Sequence, residues 1–209
     1  MEQHPCYYPG EFSPPTKMHL NALYWLLNRP EISHVHVVIG KDQSGGISQQ
    51  QKAKLWEMLL KSSFSPQASV IKSKNNGPLT EVYSIFENKP TMAGYIALDE
   101  NSARNKKFQK KFANFPAYGI QLVPSQFFKS SNNLYQAVQN DNRETVKSEL
   151  PDDFSDTQID EYMNILKRPS ISDEPVEEKS PLLNYKEQYN NKFNDGFWKS
   201  VFQPLNKED

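Results

Sequence analysis

The chain has a single cysteine, Cys6, among 209 residues. That excludes an internal disulfide and any cysteine-based zinc cluster, and it fits a reducing compartment. Charge of one sign is also missing: 24 Lys and Arg face 25 Asp and Glu, a net charge of −1, so no global field gathers nucleic acid or anionic lipid. No window approaches the apolar length of a membrane span, and the opening MEQHPCYYPG has neither a basic nor an apolar leader region. The expectation is a soluble, cytoplasmic protein. What is present is 36% hydrophobic and 12% aromatic content, enough for one core of about 150 residues with some chain left over.

Strand and helix patterns alternate at short spacing. Leu20, Leu23, Tyr24 and Leu27 mark a helix over residues 17–28, closed by Pro30. SHVHVVIG reads as a buried strand ending at Gly40. Ser48 and Gln51 form a capping-box pattern at the start of a helix carrying Leu55, Trp56, Met58 and Leu59. ASVIKS, TMAGYIALD and YGIQLVPS read as further strands, with helices over LTEVYSIFEN and from Lys106 between them. Helices follow at SNNLYQAVQN, RETVKSEL and SDTQIDEYMNILKR. This order predicts an α/β fold with a doubly wound parallel sheet of about five strands.

Composition changes near Arg168. Residues 1–167 form the expected domain, and the proline-rich, acidic stretch 168–183 reads as an extended linker. In residues 184–209, Tyr185, Tyr189, Phe193 and Phe197 recur at four-residue steps, with Trp198 extending the face. A helical tail with such an aromatic stripe is expected to dock on its own domain or on a protein partner, such as a neighbouring subunit, with disorder as the remaining alternative.

The stretch YPGEFSPPTKMHL, residues 7–19, ends a strand at a Gly/Pro turn and opens a helix, which leaves backbone N–H groups facing outward at the helix start. It is similar to the signature of the adenylyl- and cytidylyltransferase superfamily, (H/T)xGH after a strand and a GxFxP turn. The resemblance implies a nucleotidyltransferase of Rossmann-like fold that uses ATP or CTP, with Mg²⁺ held mainly by the nucleotide phosphates. It further implies that His19 donates to the α- or β-phosphate oxygens and that Thr16 seats the α-phosphate or the attacking group. Gly10 and Phe12 would shape the turn. Met18 stands where the signature has Gly, and its side chain takes up room a nucleotide would use.

A second family signature, ISxTxxR at the start of a late helix, matches in layout from Ser130 through Leu150 and Pro151, as in tailed-phage members. The resemblance covers about residues 5–167. It would place Ser130, Ser131 and Asn132 on the phosphates. Asn132 holds the position of the signature's Thr, and Tyr135 that of its Arg. A tyrosine supplies no permanent guanidinium charge, and losing such a clamp costs roughly 3 kcal/mol of transition-state stabilisation. Lys41 after the second strand and Arg104 after the fourth are further phosphate-binding candidates, with Asp99, Lys106 and Lys107 beside Arg104.

Two functions are therefore expected. One is a nucleotide-binding protein of nucleotidyltransferase fold whose site has degraded and whose transfer activity is weakened or lost. The other is a non-catalytic structural or adaptor protein, for example a phage virion component, held by its C-terminal tail. His34 and His36 share a strand face, but no metal site is expected, because further ligands are not near them in sequence. KKFQKKF reads as an amphipathic helix rather than a nucleic-acid surface.

Overall fold

The computed structural model describes residues 2–41, 47–63, 66–74, 77–89, 93–102, 105–112, 117–128 and 132–168. All of them fall in the first of two units, Met1–Ser172 and Asp173–Asp209. The candidates Arg104, Ser130 and Ser131 lie outside the described residues, as do the linker past Arg168 and the tail carrying Tyr185, Tyr189, Phe193, Phe197 and Trp198.

The element order is β1 (His4–Gly10), α1 (Lys17–Leu27), β2 (Ile32–Ile39), α2 (Gln49–Ser63), β3 (Ala68–Lys72), α3 (Pro78–Asn88) and β4 (Gly94–Asp99). Then come α4 (Asn105–Phe112), β5 (Tyr118–Val123), a 3-10 turn (Ser125–Phe128), α5 (Asn132–Gln139), α6 (Arg143–Glu149) and α7 (Asp156–Lys167). The strands form one five-stranded sheet in the order β3-β2-β1-β4-β5, and every pair is parallel. The expected fold class is observed. Among the described residues β4 begins at Gly94, whose N–H donates to the Ala117 carbonyl at 3.3 Å, while Thr91 and Met92 of the expected strand lie outside the described residues.

Strand alternation divides the core between the two sheet faces. Cys6, Tyr8, Val35, Val37, Ile39 and Ala97 join a large cluster with the apolar stripes of α1, α2, α5 and α7 and Val146 of α6. Tyr7, Val38, Ile96 and Leu98 join a smaller cluster with Val82, Tyr83 and Phe86 of α3. Burial pushes the Cys6 thiol pKa up, so it acts as a small apolar residue in β1. His34 and His36 project from one face of β2, their rings 4.5 Å apart. Ser69 of β3 bridges them, 3.0 Å from His34 Nε2 and 2.9 Å from His36 Nδ1.

Three helices begin with reciprocal capping pairs, Thr16 with His19, Ser48 with Gln51, and Ser155 with Gln158. Each satisfies helix-start N–H groups that would otherwise lack partners. The chain order reverses between β1 and β4, which opens a crevice at their C-terminal ends.

Candidate functional site

The turn from β1 into α1 sets the geometry. Phe12 has φ 45°, a left-handed conformation that strains a bulky residue. Its ring lies over Gly10, where a Cβ would come within 2.5 Å of it, so the glycine is required by close approach. The same ring meets Tyr8, His19 and Trp56 edge-on at centroid distances of 5.2, 5.2 and 5.0 Å. Tyr8 Oη and Trp56 Nε1 are both buried with no hydrogen-bond partner among the described residues.

His19 is 7% exposed and Thr16 is 2% exposed. The Thr16 backbone N–H donates to His19 Nδ1 at 3.0 Å, and Thr16 Oγ1 lies 3.1 Å from the same nitrogen. An Nδ1 that accepts a backbone N–H carries no proton, so the neutral ring is the Nε2–H tautomer. Burial lowers the His19 pKa to about 4, which keeps the ring neutral near pH 7. Nε2–H has no partner among the described residues, so the α1 start presents one uncommitted donor. From behind, the Tyr162 hydroxyl of α7 donates to the Pro15 carbonyl and fixes the turn.

Beside this turn lies an open crevice of about 570 Å³. Its walls come from the ends of β1 (Pro9, Gly10, Glu11) and β4 (Ala97, Leu98, Asp99) and the start of α3 (Gly77 to Thr80), with Ser102, Phe108 and Phe128. Glu11 pairs with Lys52 of α2 at 3.8 Å, an ammonium on a side chain only 2% exposed. Asp99 Oδ1 accepts from the Asn101 N–H at 2.9 Å and from the Ser125 hydroxyl. Thr16 and His19 do not line the crevice.

No family model matches the sequence, and no curated protein matches it either. Solved structures do match. A nicotinic acid mononucleotide adenylyltransferase of Plasmodium falciparum complexed with NaAD superposes with a TM-score of 0.54 at 15% identity, covering 78% of this chain and 96% of its own. The same enzyme complexed with APC gives 0.54 at 16% identity, with the same coverage. A Vibrio parahaemolyticus protein described as a nicotinate-nucleotide adenylyltransferase gives 0.52 at 14%, covering 78% of this chain and all of its own. The chain has the nucleotidyltransferase fold.

Within this nucleotidyltransferase fold, the candidates from sequence separate. Gly10, Phe12, Thr16 and His19 come together at the β1–α1 turn. Lys41 is exposed just past the end of β2 and does not line the crevice. Asn132 is the first residue of α5, and its side chain is not described. Tyr135, in the position of the signature's Arg, is half-buried and packs against the larger core cluster. Met18 is half-buried and outside the crevice lining, with the Asn21 amide donating to its Sδ at 3.9 Å.

Sequence reasoning missed Glu11 and Lys52. A signal for Lys52 existed: it sits three and four residues before Leu55 and Trp56, on the stripe α2 buries. A lysine there needs an acidic partner or a polar site. Nothing marked Glu11, because only the fold brings the β1 end to the side of α2.

Proposed function

We propose that this chain binds a nucleoside triphosphate, ATP or CTP with Mg²⁺, over the C-terminal ends of β1 and β4. The phosphates would lie against the α1 start, and the crevice beside Glu11 and Asp99 would take a second substrate. One observation carries the reading: at the α1 start of a nucleotidyltransferase fold, the neutral His19 ring has Nδ1 held by Thr16 and an Nε2–H with no partner among the described residues. Such an N–H donates to a phosphoryl oxygen without needing to be charged. The solved neighbours are, by their descriptions, adenylyltransferases, one of them complexed with NaAD and APC. That supports the nucleotide reading.

Transfer chemistry is proposed to be weak or lost. Tyr135 packs into the core where the resembling signature has Arg, so the leaving pyrophosphate would lack that charge. The adaptor reading rests on residues 184–209, outside the described residues, and no described feature favours it.

Calorimetric titration of the full chain with ATP and CTP in Mg²⁺, beside His19→Gln, tests the proposal. Glutamine keeps an acceptor for the Thr16 N–H and replaces the ring-fixed N–H donor with an amide on a freely rotating side chain. Binding that falls at least tenfold in a folded His19→Gln protein is the expected result. No heat for either nucleotide, or equal binding by the variant, would overturn it.

A further inference from the structure

The crevice beside the β1–α1 turn has a chemical sign. Two carboxylates line it, Glu11 and Asp99, and among the described lining residues there is no lysine or arginine. Both carboxylates are fixed by the protein. A Cβ at Gly40 would meet both Glu11 carboxylate oxygens and Pro78 Cδ at 2.9 Å, so the carboxylate is wedged against the end of β2 and the first turn of α3. Lys52 reaches it at 3.8 Å from a fully buried position while the Glu11 side chain stays 56% exposed. The ammonium thus anchors the carboxylate from below and leaves its outer edge open.

Asp99 is placed in a similar way. Its Oδ1 takes the Asn101 N–H and the Ser125 hydroxyl, while Oδ2 has no partner among the described residues. The remaining lining is apolar or neutral: Pro9, Pro78, Leu79, Leu98, Phe108, Phe128, and the hydroxyls of Thr80 and Ser102.

Building on the function proposed above, we propose that the second substrate reaches into this crevice with a hydrogen-bond donor, an amide, amine or hydroxyl, and that Glu11 and Asp99 select it over a carboxylate. The selection follows from charge and from satisfaction. A donor-bearing group completes the open carboxylate oxygens, whereas an anionic end meets two like charges in the crevice wall. Lys52 is a positioning residue here, since it touches Glu11 rather than the ligand.

The test uses two probes that differ at one group, nicotinamide mononucleotide, which ends in an amide, and nicotinic acid mononucleotide, which ends in a carboxylate. Each is titrated by calorimetry into the full chain in EDTA, so that a divalent cation cannot bridge like charges. The same is done with Glu11→Gln and Asp99→Asn, and ATP with Mg²⁺ is titrated separately. The expected result is at least tenfold tighter binding of the amide probe, with the gap narrowed severalfold in each variant. Equal or tighter binding of the carboxylate probe would overturn the inference, as would a gap that neither variant changes. Failure of both probes while ATP still binds would also overturn it and leave the nucleotide reading standing. A lost ATP signal with the discrimination intact would sink the nucleotide reading and keep the selectivity of the crevice.

Discussion

The starts of α1 and α2 use the same device for different ends. Each follows a strand of the parallel sheet, and each carries a hydroxyl residue and a partner three residues on that reach back to one another. In α2 the partner is Gln51. Its Oε1 accepts the Ser48 N–H at 2.8 Å, and its Nε2 donates to the Ile165 and Arg168 carbonyls at 2.6 and 3.0 Å. Every polar atom of that amide is engaged, the oxygen in the cap of α2 and the nitrogen in holding α7 to α2. In α1 the partner is His19, whose Nδ1 does the same capping work while Nε2–H is left over. A cap alone calls for glutamine; an imidazole held neutral at the cost of burial calls for a ligand. The comparison separates a helix start whose capping partner is fully engaged from one that leaves a donor over, which supports the ligand proposed for α1.

The largest effect should come from His19→Ala. It removes the acceptor for the Thr16 N–H and opens a cavity against Phe12 and Trp56, so about 3 kcal/mol of stability should go, with ATP binding lost in the same variant. Denaturant melts and calorimetry check both halves; retained ATP affinity would erase the distinction between the two helix starts.

Acid comes next. The folded-state pKa of His19 is depressed to about 4, and His36, lowered by burial and by the nearby His34 and Lys89 charges, is also about 4. The unfolded chain therefore binds more protons between pH 6.5 and 4, and stability falls as pH drops through that window. The His19 share is about 3 kcal/mol by pH 4. Unfolding midpoints measured from pH 7 to 4 should show a shallower slope for His19→Gln, and identical slopes would refute the buried neutral ring.

Gln51→Ala should cost about 2 kcal/mol, because it strips one N–H and two carbonyls of partners, yet leave nucleotide affinity unchanged. An affinity loss like that of the His19 variants would show that both helix starts serve the ligand. Smallest of all, Ser155→Ala at the exposed start of α7 should cost about 1 kcal/mol, a fall of about 2–4 °C in Tm for a domain of this size, with no change in ATP titration.

Local signals in the sequence reached far into this fold. Alternating faces in SHVHVVIG, the Ser48–Gln51 pair and the Gly/Pro turn at residues 9–15 each act over a few residues, and each is found where the sequence puts it. The crevice was less legible. Glu11 and Lys52 are 41 positions apart in the sequence, and Asp99 meets Ser125 only after β4 and β5 pair. Such contacts arise from strand order, which no short window encodes. The two roles of His19 could not be separated from spacing either, because which ring nitrogen carries the proton depends on the Thr16 backbone.

The hydrogen bond from Tyr162 to Pro15 joins residues 147 positions apart. During synthesis the β1–α1 turn leaves the ribosome well before α7, which buries Ile159, Tyr162, Ile165 and Leu166 on the larger core face. A nascent chain without α7 shows solvent an apolar surface over α2 and α5, with the Ile165 and Arg168 carbonyls not yet there for Gln51. Ligand competence would then arrive only with the end of the domain, and chains cut before residue 168 should be prey for chaperones and proteases rather than weak binders.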